Sequence, residues 1–130
     1  MTEKQLNQIY YLQKEKKMWE NKLAEMTEIK AMSYENTGAG HSSDISSPVA
    51  RYAEQREKIR AIISAKLKEI SFVEREILEY IDGIDDSLIR QIMTLRHIEL
   101  KSWQQIANAV GNNTADSVRK MHKRYIQQHM

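Results

Sequence analysis

"SWQQIANAVGNNTADSVRKMHKRY", residues 102–125, decides how the chain is read. Its first half carries Trp103, Ile106, Ala107 and Val110 on one face, with Gln104, Gln105 and Asn108 on the other. That spacing predicts a short amphipathic helix over 103–110, capped by Ser102 and stopped by Gly111. Thr114 then opens a second helix, in which Val118, Met121, His122 and Tyr125 recur at three and four residues. Two helices joined by a glycine-containing turn make a helix-turn-helix. Ala107 is small enough for the two to cross closely, and Gly111 gives the turn its backbone freedom.

With Val118, Met121 and Tyr125 facing inward, the last helix presents Ala115, Asp116, Arg119, Lys120 and Lys123 outward. A second helix of this kind lies in the major groove of a duplex. Arg119 and Lys120 suit guanine edges, and Asp116 can accept a hydrogen bond from a cytosine amine. Ala115, Asp116, Arg119 and Lys120 are therefore the expected base-reading set. Lys123, Arg124 and the hydroxyls of Thr114 and Ser117 are placed for phosphates, as are the first amides of the helix. Binding by such contacts weakens steeply with salt.

The charge distribution agrees. Residues 1–83 hold 13 Lys/Arg against 14 Asp/Glu, whereas residues 84–130 hold 7 against 4. The positive excess sits at one end, which points to a polyanionic partner.

Upstream, Asp85 or Asp86 can cap a helix with Leu88, Ile89, Ile92, Met93 and Leu95 as its apolar positions, and "RHIELK" (96–101) reads as a short bridge. Residues 3–34 read as one helix of about 48 Å, with Leu6, Ile9, Leu12, Trp19, Leu23, Met26 and Ile29 at helical spacings. Residues 35–48 form a connector with two Gly, four Ser and one Pro. A second long helix begins near Pro48, capped by Ser46 or Ser47, and ends at Asp82-Gly83. Its Tyr52, Ile59, Ile63, Ile70, Val73, Ile77 and Ile81 approach a heptad repeat. The fold class expected is all-α: a long antiparallel helical hairpin over 1–83, then a three-helix DNA-binding domain over 84–130. A lone hairpin covers only part of each stripe, so pairing with a second copy into a homodimer is expected.

Several function classes are excluded. Zero Cys removes disulfides and thiolate zinc sites. His41, His97, His122 and His129 lack metal-ligand spacing, and packing or solvent accounts for them. Glu74, Glu76 and Glu79 read as exposed helical positions and Trp103 as core. No phosphate loop, nucleophile elbow or metal motif occurs, so neither catalysis nor a cofactor is expected. The first residues show no signal-peptide core and no run nears a membrane span; the expected location is the bacterial cytoplasm, at the nucleoid.

"IRQIMTLRHIELKSWQQIANAVG" (89–111) resembles region 4 of bacterial sigma factors. There a helix ending in Leu-Arg-aromatic leads through a bridge to a helix of Ser-aromatic-x-x-Ile-Ala type. Leu95-Arg96-His97 and Ser102–Ala107 carry the likeness, with His97 in the aromatic place. Preceded by a helical arm ending in Ile81, Ile84 and Asp86, the arrangement is similar to small phage and prophage transcriptional regulators. That resemblance covers 81–126 and implies the same base-reading positions: Ala115, Asp116, Arg119 and Lys120. Two departures stand out. Val118 lies seven residues after Gly111, where six is commoner, and Asn112 replaces the usual apolar turn residue. Nothing resembles the sigma region that melts promoters. The resemblance implies a DNA-binding transcriptional regulator, with RNA polymerase as a further partner. The alternatives are the DNA-recognition (small terminase-like) subunit of a phage packaging motor, and a coiled-coil adaptor or inhibitor that binds protein.

Overall fold

The computed structural model describes residues 1–36 and 46–130, with side chains for 1–26 and 48–130. Helices are the only regular elements among the described residues, without a strand. The helices are α1 (Glu3–Leu6), α2 (Gln8–Asn36), α3 (Ser46–Asp82), α4 (Ser87–Met93), α5 (Trp103–Val110) and α6 (Ala115–His129). A π-helical turn, Thr94–Ile98, extends α4. The connector expected at 35–48 falls mostly on residues 37–45, outside those described; Ile29 and His41 also lie outside the described side chains.

Three local features depart from the sequence reading. The first long helix is interrupted at Asn7. Thr2 and Gln5 cap each other reciprocally, which closes a one-turn helix before α2 begins. Ser46 and Ser47 are already helical residues of the second long helix and not its caps. The third departure is the segment read as a plain bridge. The Glu99 N–H donates to the Thr94 carbonyl at 3.1 Å and the Lys101 N–H to the Leu95 carbonyl at 2.9 Å. Closing that wide turn requires Leu100 at φ 56, a left-handed conformation unfavourable for leucine. Packing of its half-buried side chain against the core offsets the cost.

The chain divides into two compact units: Met1–Leu12 with Ile70–Met130, and Gln13–Glu69. The boundary expected between 83 and 84 falls inside the first unit. Ile77 and Ile81 of α3 share one apolar cluster with Leu6, Ile9, Ile84, Ile89, Met93 and Ile126. Gly83 ends α3 without left-handed backbone; its N–H bonds to the Tyr80 carbonyl at 3.2 Å. Asp86 caps α4, one carboxylate oxygen accepting from the Leu88 and Ile89 amides. A second cluster of Ile92, Ile106, Ala107 and Val118 joins α4, α5 and α6, and half-buried Met121 packs against both clusters.

In the second unit, Ile59 is buried and Lys66 lies 3.3 Å from Glu15 and 3.4 Å from Glu69. Met18 and Leu67 remain exposed. No described helix is long and apolar enough to cross a membrane.

Candidate nucleic-acid interface

The region around α6 is built from short-range signals. Ser102 opens α5 with a capping box: its hydroxyl accepts from the Gln105 N–H at 3.2 Å, and the Gln105 side-chain oxygen accepts from the Ser102 N–H at 2.9 Å. Gly111 ends α5 at φ 74, ψ 160, a region essentially closed to other residues. Asn112 follows at φ 56, the left-handed conformation that asparagine tolerates. Two successive residues of positive φ accommodate the longer turn. Asn113 ties it, donating to the Gly111 carbonyl at 2.9 Å and accepting from the Ser117 hydroxyl at 3.3 Å. Thr114 caps α6 by accepting from the Ser117 N–H at 3.1 Å.

Helical periodicity then sorts α6 into two faces. Val118, His122 and Ile126 are buried, and Met121 and Tyr125 are half-buried. Asp116, Arg119, Lys120, Lys123 and Arg124 are exposed. Ala107 and Val118 belong to the same buried cluster, where a larger residue at 107 would hold the helices apart. Tyr125 shares a hydrogen bond with Tyr80; burial first, and that bond second, push its phenol up to about 12.

Of the expected base-reading residues, Asp116, Arg119 and Lys120 form one exposed group. Arg119 Nη2 lies 2.6 Å from Asp116 Oδ1, and Lys120 Nζ lies 2.9 Å from Oδ2. The hydrogen bond from Arg119, then that from Lys120, hold the Asp116 carboxyl below the usual carboxylate range. Ala115 is half-buried at the first position of α6. Of the expected phosphate contacts, Lys123 and Arg124 are exposed and have no ion-pair partner among the described residues. Thr114 is exposed with its oxygen engaged as the cap, while half-buried Ser117 already donates its hydroxyl hydrogen to Asn113.

The buried side of α6 holds a feature that sequence reading missed. His97 and His122 are 3% and 8% exposed, and their Nε2 atoms lie 2.7 Å apart. The Leu6 carbonyl accepts a further hydrogen bond from His97. One ring donates and the other accepts, the direction being set by their tautomers. Trp103 meets His122 edge-on at 5.1 Å, and the Arg96 guanidinium lies 4.2 Å over the Trp103 ring. Burial above all, then the charge of His122 and of Arg96, push His97 down to about 3. Burial and Arg96 push His122 down to about 4. Both rings are therefore neutral at pH 7. The apolar stripe through Val118, Met121 and Tyr125 was the signal for His122; nothing local links it to a residue 25 positions away. His129, by contrast, is exposed and stacks on Tyr125 at 4.2 Å. Among the described residues, no group of His, Asp or Glu is placed to hold a metal ion.

Comparison with protein-family models, with curated proteins and with solved structures gives no match.

Proposed function

We propose that this chain is a sequence-specific double-stranded DNA-binding transcriptional regulator of sigma region 4-like type, with α5 and α6 as its helix-turn-helix. It is a binding protein and not an enzyme. The observation that carries this reading is the division of α6. Val118, His122 and Ile126 fix one side in the core, and the other offers Arg119, Lys120, Lys123 and Arg124 to solvent. Cations on one face of a helix anchored by its opposite face fit docking in a major groove. Arg119 and Lys120 read guanine, Asp116 reads cytosine, and Lys123 and Arg124 hold phosphates.

The long helices α2 and α3 supply an antiparallel hairpin that pairs two copies. The ion pair between Glu15 and Lys66 supports the antiparallel register, and the exposure of Met18 and Leu67 supports a second copy. Two copies place their recognition helices about one turn of DNA apart, roughly 34 Å, on an inverted repeat. Regulation then follows from recruiting or excluding RNA polymerase at the bound promoter.

Gel shifts compare the wild type with the Arg119→Ala/Lys120→Ala double variant. The expected result is loss of sequence-selective binding by the variant. Undiminished selective binding overturns the assignment.

A further inference from the structure

The one anion on the exposed face of α6 is tied to two of its cations. Asp116 uses both carboxylate oxygens, Oδ1 toward Arg119 at 2.6 Å and Oδ2 toward Lys120 at 2.9 Å. All three side chains are about half exposed or more, so these pairs contribute little to stability. Their consequence is for binding. Asp116 lies in the first turn of α6, where the positive end of the helix dipole and the two cations keep it ionised.

Any duplex that takes up Arg119 and Lys120 must first displace them from this carboxylate. It must also tolerate a negative charge near its own phosphates. An unrelated sequence offers base edges of the wrong pattern, so the cations turn to phosphate oxygens, exchanging one anionic acceptor for another and leaving the carboxylate unpaired and repelled. A duplex with guanine edges under Arg119 offers bidentate acceptors, and a cytosine amine offers the freed carboxylate a donor. The cost of release falls on every duplex; the compensation falls only on the correct one.

We infer that Asp116 is a specificity-determining residue, acting by holding Arg119 and Lys120 back from non-cognate DNA. This rests on the reading of α6 as a recognition helix and names the device by which that helix discriminates. Lys123 and Arg124 lie outside the device and supply sequence-independent attraction.

The test measures affinity of the full chain for two probes over a range of salt concentrations. One is the duplex the wild type itself selects from a random library; the other is an unrelated duplex of equal length. Asp116→Asn removes the charge at nearly constant shape, Asp116→Glu keeps the charge, and Asp116→Ser is a second neutral variant in case Asn perturbs the helix. Helix content by circular dichroism accompanies each.

The expected result is that both neutral variants bind the unrelated duplex more tightly. Their salt slope steepens by about 0.9, one further phosphate neutralised. Their preference for the selected duplex falls roughly tenfold, the scale of one base contact. Asp116→Glu retains most of the preference. If the wild type is selective and the folded neutral variants keep its affinity for unrelated DNA, the inference is overturned and the DNA-binding reading stands; a fall in preference alone then marks only the loss of the cytosine contact. If the wild type binds no duplex in a salt-dependent way, the reading itself falls, and the inference with it.

Discussion

His97 and His122 meet Nε2 to Nε2 at 2.7 Å inside the first unit, which joins the π turn to α6 through a single hydrogen bond. Each ring must stay neutral for the arrangement to persist. The unfolded chain takes up protons below about pH 6.5, while the folded rings resist until about 3 and about 4. A base whose folded pKa is depressed stabilises the protein above its unfolded pKa and loses that contribution as pH falls. The vulnerable window therefore runs from about pH 6.5 down toward pH 3. Each histidine forfeits about 1.4 kcal/mol per pH unit in that window, so at pH 5 the pair has cost the fold on the order of 4 kcal/mol. Urea denaturation at pH 7.5 and pH 5 checks this. His97→Phe should flatten the dependence, at a loss of about 1–3 kcal/mol at pH 7.5 from the buried His122 nitrogen left without its partner. Equal stability of the wild type at the two pH values would contradict the account.

Gly111 is the backbone pivot between α5 and α6. At φ 74, ψ 160 an added methyl group meets no atom within 4 Å, so the penalty for a side chain comes from the backbone alone. Gly111→Ala should cost about 1–3 kcal/mol, measured by thermal or chemical denaturation. Asn112→Gly, at φ 56, should be close to neutral, because glycine accepts the same conformation. The reverse order of effects would mean that the turn is held differently.

Leu6 is fully buried in the cluster that contains Ile126 of α6. Leu6→Ala should destabilise the protein by about 2–5 kcal/mol, and amide hydrogen exchange should quicken in α6 as well as in α1. Quickening confined to the first dozen residues would show that the two ends do not share one cooperative unit.

The proposed self-association would cover Met18 and Leu67, which α2 and α3 leave exposed. Mass determination in solution should return twice the 15.3 kDa of one chain. A large ring would favour the packaging role over transcription, and a monomer would remove the two-copy arrangement.

Much of α5 and α6 was legible because its signals are local. Ser102, Gly111 and Thr114 each act on amides within three or four positions, and all three stand where the sequence puts them. The grouping of Asp116 with Arg119 and Lys120 was equally within reach, since spacings of three and four place side chains together on a helix. The π turn was hidden because it depends on Leu100 adopting φ 56, which no leucine advertises. The pairing of His97 with His122 was hidden because its cause is tertiary. The join between the two units was hidden for another reason. The stripe Ile59, Ile63, Ile70, Val73, Ile77, Ile81 runs along a single helix, α3, yet the first two of these lie in one unit and the last four in the other. An unbroken stripe records that a face is covered, not what covers it.

The shared core of Leu6 and Ile126 has a consequence for biosynthesis. Leu6 is made about 120 residues before Ile126, which completes the same cluster. Until Ile126 emerges, the isoleucines of α3 and the start of α4 wait without part of their cover. Newborn chains at this stage are the ones most in need of a chaperone, and an early stop codon inside α6 would strand them there.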